Sequence, residues 1–282
     1  MSTVDVAGRN RTQWSKPLIY LIAALGGISS VGPVVYAILG GFRTNAQLAA
    51  DPAGLPDPWS LEKYQLVLTS SGFWRQLWNS TLIAGITTAL VVVFGIMAAY
   101  ALSRYVFRGR EAMYGFFTLG LLFPLSVAIL PLFILIRSLD LTSNFLGVAL
   151  PQAAFALPVT IVILRPFQRA LPQELEDAAM MDGCSRLGFF WRIVIPLSGP
   201  GMVTVGVLAF VGSWNSYLLP LLILGRPESY TLPLGTAAFS SQYTSDTAAI
   251  LAFTSLAMLP ALVFFLLAER RIVGGLSGAV KG

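Results

Sequence analysis

The chain has 282 residues, of which 56% are hydrophobic and only 11% charged, with a mean hydropathy of +0.74. Soluble domains carry about 25% charged residues, so an ordinary soluble domain is excluded. With no histidine and one cysteine, Cys184, the chain lacks the commonest general base and cannot close an internal disulfide. A net charge of +5 would suit nucleic acid only if the basic residues shared a face, and they are scattered between greasy segments.

Residues 1–16 carry Arg9, Arg11 and Lys16, and a charge-free window runs from Pro17 to Phe42. Its apolar stretch is longer than the 7–15 residues of a signal-peptide core, and no small-residue cleavage site follows. It predicts a retained first span. Five more windows without Asp, Glu, Lys or Arg follow: Gln76–Ser103, Ala112–Ile136, Leu141–Leu164, Ile193–Gly225 and Thr247–Ala268. A spanning helix needs roughly 20 apolar residues. Spans are expected at about 17–42, 79–103, 112–136, 143–164, 201–224 and 247–268, in one all-α membrane domain. Ser229–Ser245, rich in Ser, Thr and Gly, reads as a loop.

Segments 1–16, 104–111, 165–192 and 269–282 hold thirteen Lys and Arg residues; the opposite set of loops holds five. The positive-inside rule then places both termini and the first set in the cytoplasm. Because the windows hold no Asp, Glu, Lys, Arg or His, a proton-coupled carrier is disfavoured, while sodium sites made of carbonyls and hydroxyls stay open. No G-x-x-x-x-G-K-[ST] phosphate loop occurs, so energy for active transport is expected from a partner. A membrane enzyme is disfavoured by the missing histidine and by the lack of a clustered acid–base constellation.

Within the third window, Pro124 and Pro131 suggest kinks lining a pathway, against the alternative of simple close packing. In the fifth, Ser213, Asn215, Ser216 and Tyr217 surround Trp214. These groups suit either hydrogen bonds between helices or a polar pathway for an uncharged, polyhydroxylated ligand.

The segment 165–200 breaks the greasy pattern. Pro172 fits a helix start, and Glu174, Glu176 and Asp177 sit in the first turns, where the helix dipole favours acids. Ala178, Ala179, Met180 and Met181 continue the helix, Asp182 follows, and Gly183 can end it in the left-handed conformation. A second run, with Leu187, Phe190, Trp191 and Val194 on one face, is expected to end at Pro196. The first helix has no basic residue between Pro172 and Gly183, which favours a protein partner over an anionic membrane surface.

This stretch resembles the EAA loop of the membrane subunits of ATP-binding-cassette importers. The family pattern is E-A-A, three residues, G, nine residues, I, one residue, L-P. Here it reads Asp177-Ala178-Ala179, Gly183, Ile193 and Ile195-Pro196 at the same spacing, with Asp for Glu and Ile for Leu. Four further stretches are similar to the carbohydrate branch, in particular to the shorter membrane subunit of maltose-type transporters. They are LPDPWSLEKYQLVL (Leu55–Leu68), WNSTLIA (Trp78–Ala84), SWNSYLLPL (Ser213–Leu221) and RRIVGGLSGAVKG (Arg270–Gly282).

The resemblance implies a type I importer permease fold of six transmembrane helices, passing a di- or oligosaccharide; a non-sugar solute is the alternative. It implies a second, homologous permease, two ATPase subunits and an extracytoplasmic sugar-binding protein as partners, in the inner membrane. ATP and Mg would be used by the ATPase, with no cofactor bound by this chain. Glu174, Glu176, Asp177, Ala178, Ala179, Asp182, Gly183, Ile193 and Pro196 would form the ATPase-coupling region. The tail, with Gly274, Gly275 and Lys281, would reach towards the ATPase, and Trp214, Asn215, Tyr217, Pro124 and Pro131 are the pathway candidates.

Overall fold

A computed structural model describes residues 16–240 and 245–279. Lys281 lies outside the described residues. All regular elements described are helical, apart from an isolated antiparallel bridge between Ser240 and Ser245. The chain divides into two compact units, one drawing on the residues up to Thr69 and on Phe239–Leu256, the other on Ser70–Ala238 and the residues from Ala257.

The first unit contains α1 (Lys16–Gly40), α2 (Asn45–Ala50) and α3 (Glu62–Thr69). Ile19, Leu21, Ile22, Leu25 and Ile28 of α1 are all exposed. A helix that is apolar all round and unburied matches a lipid environment. Arg43, only 3% exposed, donates to the carbonyls of Gln47, Asp51 and Pro52 and so closes the loop around α2. Thr44 and Gln47 form a capping box at the α2 start.

The second unit is built on α4 (Ser71–Arg104), a 34-residue helix packed most extensively on α7 (Phe145–Arg169) and α11 (Gly199–Trp214). Small residues permit the approach: a Cβ on Gly95 of α4 would collide with the Thr160 side chain of α7. Val91, Ala153 and Ala209 meet in the middle of this trio. Pro151, Pro158 and Pro166 all lie inside α7 without breaking it. The helix runs five residues past the expected span end at Leu164, so Arg165–Arg169 belong to it rather than to the following loop.

The span expected at 112–136, with kinks suggested at Pro124 and Pro131, is two helices, α5 (Arg110–Gly120) and α6 (Leu125–Ser138), at 100° to each other. The break falls just before Pro124, which caps α6 in an extended conformation. Proline disfavours helical geometry in the preceding residue, so the first helix ends ahead of it. Pro131 sits inside α6. The expected span 201–224 is likewise interrupted at 215–217, between α11 and α12 (Leu218–Ile223). The described part of the segment read as a loop holds a short helix, α13 (Leu232–Gly235), and a 3-10 turn at Thr236–Phe239.

The last helix, α14 (Thr247–Ala279), passes the expected end at 268 without interruption, and Gly274 and Gly275 lie within it. Asp246 caps its start: its carboxylate accepts from the Ala249 N–H at 3.0 Å, from Asn45 at 3.0 Å and from Lys63 at 2.8 Å. Burial pushes this carboxyl up, but these three donors together hold it below the usual carboxylate range.

Four described helices are long and apolar enough to cross a membrane, and six spans result if each of two bent pairs counts as one. The turn into α7 is tight. A Cβ on Gly147 would run into the backbone carbonyl of Leu141, which cannot move aside like a side chain. Gly147→Ala is therefore expected to destabilise the purified chain by about 1–3 kcal/mol. Thermal unfolding in detergent should show a lower Tm than Gly206→Ala, whose added carbon meets only ordinary contacts at 3.6 and 3.7 Å.

Candidate functional site

The polar segment forms a helix, a glycine turn and a second helical arm. The first helix is α8 (Gln173–Met181), with Pro172 at its N-cap. Gly183 ends it with φ +76°, the left-handed region glycine enters without strain. Its N–H donates to Met180 at 3.0 Å, and the Cys184 N–H reaches back to Ala179 at 2.9 Å. That pair of bonds is a Schellman motif, and it turns the chain sharply.

Ser185 then caps α9 (Arg186–Phe189) by accepting from the Gly188 N–H at 3.1 Å. The helix widens into a π-turn over Phe190–Val194 and closes with α10 (Ile195–Leu197). The π-turn alters the expected aromatic face. Phe189, Phe190 and Val194 are buried, whereas Leu187 and Trp191 are exposed. One extra residue in the turn changes the register from Phe190 on, so a 3.6-residue count misplaces Trp191; Leu187 precedes the turn and is exposed independently of it. Pro196 lies inside α10 rather than ending the run; the chain bends by 73° after Leu197 instead. Ile193 is partly buried against the cluster formed by Phe189, Phe190 and Val194.

The coupling candidates divide between two faces of α8. Glu174, Asp177, Ala178 and Met181 are exposed and fall at i, i+3, i+4 and i+7, one continuous outward face. Asp182 is exposed beside it. Ala179 points the other way and is buried in the chain's own cluster with Phe189, Phe190 and Val194. Glu176 is also turned inward, 3.7 Å from Arg104 at the end of α4. So only one of the paired alanines is available to a groove on another protein. Met181, 88% exposed, was not among the expected coupling residues. The same helical spacing, counted from Glu174, would have found it.

A second charged cluster lies nearby. Glu111, in the first turn of α5, is joined by Arg165 at 2.5 Å, Arg110 at 3.0 Å and Arg169 at 3.1 Å. The Arg165 guanidinium, with Arg110 behind it, holds the Glu111 carboxyl below the usual carboxylate range. Arg165 also donates to the Leu102 carbonyl and lies over the Tyr114 ring at 3.8 Å. These contacts tie α4, α5 and α7 together where the helices end.

The pathway candidates separate too. Trp214 is 4% exposed, donates its indole N–H to the Ala257 carbonyl at 3.2 Å and stacks on Phe210. Its neighbour Ser213 donates to the Gln152 side chain at 2.6 Å, and Thr87 does the same at 3.0 Å. Ser213 and Trp214 thus follow the helix-packing alternative. Asn215, Tyr217, Pro124 and Pro131 are exposed. Gln152 is the joint of three helices that the residue-by-residue reading missed. Its signal is being the one amide between Phe145 and Leu164.

Residues 91–272 match the family described as the binding-protein-dependent transport system inner membrane component. The chain is 31% identical over its whole length to the whole of the sulfoquinovosyl glycerol transport system permease protein SmoH of Agrobacterium fabrum. It is 38% identical to the trehalose transport system permease protein SugB of Mycobacterium tuberculosis, across 81% of this chain and 84% of that one. The arabinooligosaccharides transport system permease protein AraQ of Halalkalibacterium halodurans is 32% identical, across 90% and 92%. In fold, the chain is similar to a solved chain of a bacterial transporter importing the polysaccharide alginate. The TM-score is 0.78 at 21% identity, over 93% of this chain and 99% of that one.

The chain belongs to the family of binding-protein-dependent inner membrane transport components. It is a multi-pass membrane protein and a transport component rather than an enzyme.

Proposed function

We infer that the chain is one permease subunit of an ATP-driven importer of sugars, forming half of the translocation pathway. The relatives' transport systems are described for sulfoquinovosyl glycerol, trehalose and arabinooligosaccharides, and this shared carbohydrate chemistry supports a di- or oligosaccharide cargo. The windows without charge suit an uncharged, hydroxyl-rich solute. A second, homologous permease completes the pathway, an extracytoplasmic binding protein delivers the sugar, and two ATPase subunits supply energy. ATP and Mg are held by the ATPases. The distribution of Lys and Arg supports cytoplasmic termini, six spans and a cytoplasmic site for α8, in a cell membrane of the inner, cytoplasmic type.

One observation carries the coupling role. Glu174, Asp177, Ala178 and Met181 form an outward face that the chain itself leaves uncovered, on a helix whose end is fixed by the Gly183 turn. Docked in an ATPase groove, this face would receive the motion of ATP-driven closure, with Asp182 and Gly183 at its rim. The exposed Asn215 and Tyr217 offer the groups that would contact a passing sugar, with Pro124 at the break that would shape the path and Pro131 inside α6. Gly274, Gly275 and Lys281 would lie towards the ATPase.

The test is to purify the permease pair with its ATPase, reconstitute it in vesicles, and add binding protein loaded with candidate solutes. Oligosaccharides should stimulate ATP hydrolysis and enter the vesicles. Stimulation by amino acids and not by sugars would overturn the cargo assignment. ATP hydrolysis by this chain purified alone would overturn the division of labour.

A further inference from the structure

The cytoplasmic end of α4 touches both arms of the coupling segment. Arg104, its last residue, has a side chain only 7% exposed. One of its terminal nitrogens donates to the Leu171 carbonyl at 2.6 Å, just ahead of α8, and the other lies 3.7 Å from the Glu176 carboxylate within α8. One turn earlier, the Tyr100 ring packs on Phe190 at 4.9 Å, at the start of the π-turn in the second arm. Tyr100, Ala179, Phe190 and Val194 belong to one buried cluster.

The covalent route into α8 is weaker than this side-chain route. Between α7 and α8 stand only Ala170, Leu171 and Pro172, none of them in a helix. A non-helical linker lets a short helix pivot, whereas a guanidinium hydrogen-bonded to the Leu171 carbonyl and ion-paired with Glu176 on the next part of the segment restrains its angle. Arginine suits this because its planar fork directs one terminal nitrogen at the carbonyl and the other towards the carboxylate, which an ammonium on a flexible stem does not.

We propose that Arg104 is the positioning residue that makes α4 follow α8, so that motion received on the outward face of α8 passes into the α4–α7–α11 core through the Arg104–Glu176 and Arg104–Leu171 contacts. Glu176, on this account, works inside the chain rather than against the ATPase. The inference rests on the coupling role given above for α8.

The experiment uses the full transporter in vesicles and reads sugar taken up per ATP hydrolysed. Arg104→Gln should lower that ratio at least tenfold while the complex still assembles and hydrolyses ATP. Glu176→Gln should lower it in the same direction by a smaller factor. Arg104→Lys, which keeps the charge but not the fork, should fall between parent and Arg104→Gln. An unchanged ratio in Arg104→Gln overturns the proposal. If Arg104→Gln does not assemble, Glu176→Gln decides: a lowered ratio supports the proposal and a normal one overturns it. A parent complex that shows no ATP-driven sugar uptake would instead sink the functional reading itself.

Discussion

Gly183→Val should reduce sugar uptake at least tenfold while leaving the protein in the membrane fraction at parental levels. At φ +76° the backbone is left-handed, and a residue with a Cβ there costs about 1–2 kcal/mol. Beyond its immediate chain neighbours nothing lies within 4 Å of where that Cβ would stand, so the penalty is one of local backbone conformation and not of packing. This predicts an order. Asn, which tolerates the left-handed region, should retain most uptake, Ala less, and β-branched Val least. The physical consequence is local: without the Schellman turn, the end of α8 frays and its outward face no longer meets a partner at a defined angle. Radiolabelled uptake, set beside the amount of chain in the membrane, checks this. Normal uptake by Gly183→Val would remove the turn from the mechanism.

Met181→Arg should weaken assembly with the ATPase by roughly 2 kcal/mol or more, the scale of a central interface residue, equivalent to about 30-fold in affinity. Met181 is the most exposed large apolar side chain on α8, at 88%, and it lies in line with Glu174, Asp177 and Ala178. An arginine there would place a long charged side chain where a flexible thioether can fill an irregular groove. Ala178→Arg, on the same face, should do likewise. Met180→Arg should cost less, because Met180 is only 37% exposed and lies off that face. Binding of detergent-solubilised permease pair to immobilised ATPase measures all three. Equal effects at 180 and 181 would mean that α8 does not dock by the face described.

Much of the coupling segment was legible because its signals are local. Proline at the start, acids in the first turns and glycine at the end each act over one or two turns, so α8 and its left-handed stop could be read in order. What the residues did not reveal is which side of α8 faces home. Glu176 and Ala179 turn inward because Arg104 and Phe190 wait there, and both partners lie on other elements. The second arm was misread for a related reason. Periodicity assumes 3.6 residues per turn, and the π-turn over Phe190–Val194 breaks that count.

The apolar windows show the same division. An all-helical membrane protein follows from apolar windows of about 20 residues, the length at which a helix crosses the bilayer with its backbone groups satisfied internally. Prolines suggested kinks, as Pro124 and Pro131 did in the third window, but could not say which of them bends the chain. Phe145–Arg169 stays helical through three prolines, while 112–136 breaks at one, with a 100° bend. In α7 the flanking α4 and α11 hold the helix in place around its prolines; α5 and α6 pack far less extensively on their neighbours.

The sequence by itself determined the class of the protein, the greasy segments and the turn at Gly183, because burial in lipid and backbone preference are properties of neighbouring residues. Tertiary structure alone decided that Arg104 grips α8, that Gln152 joins three helices and that Trp214 is packed away. Each of those depends on residues dozens of positions apart meeting in a low-dielectric interior, where a polar group must find a partner whatever its distance along the chain.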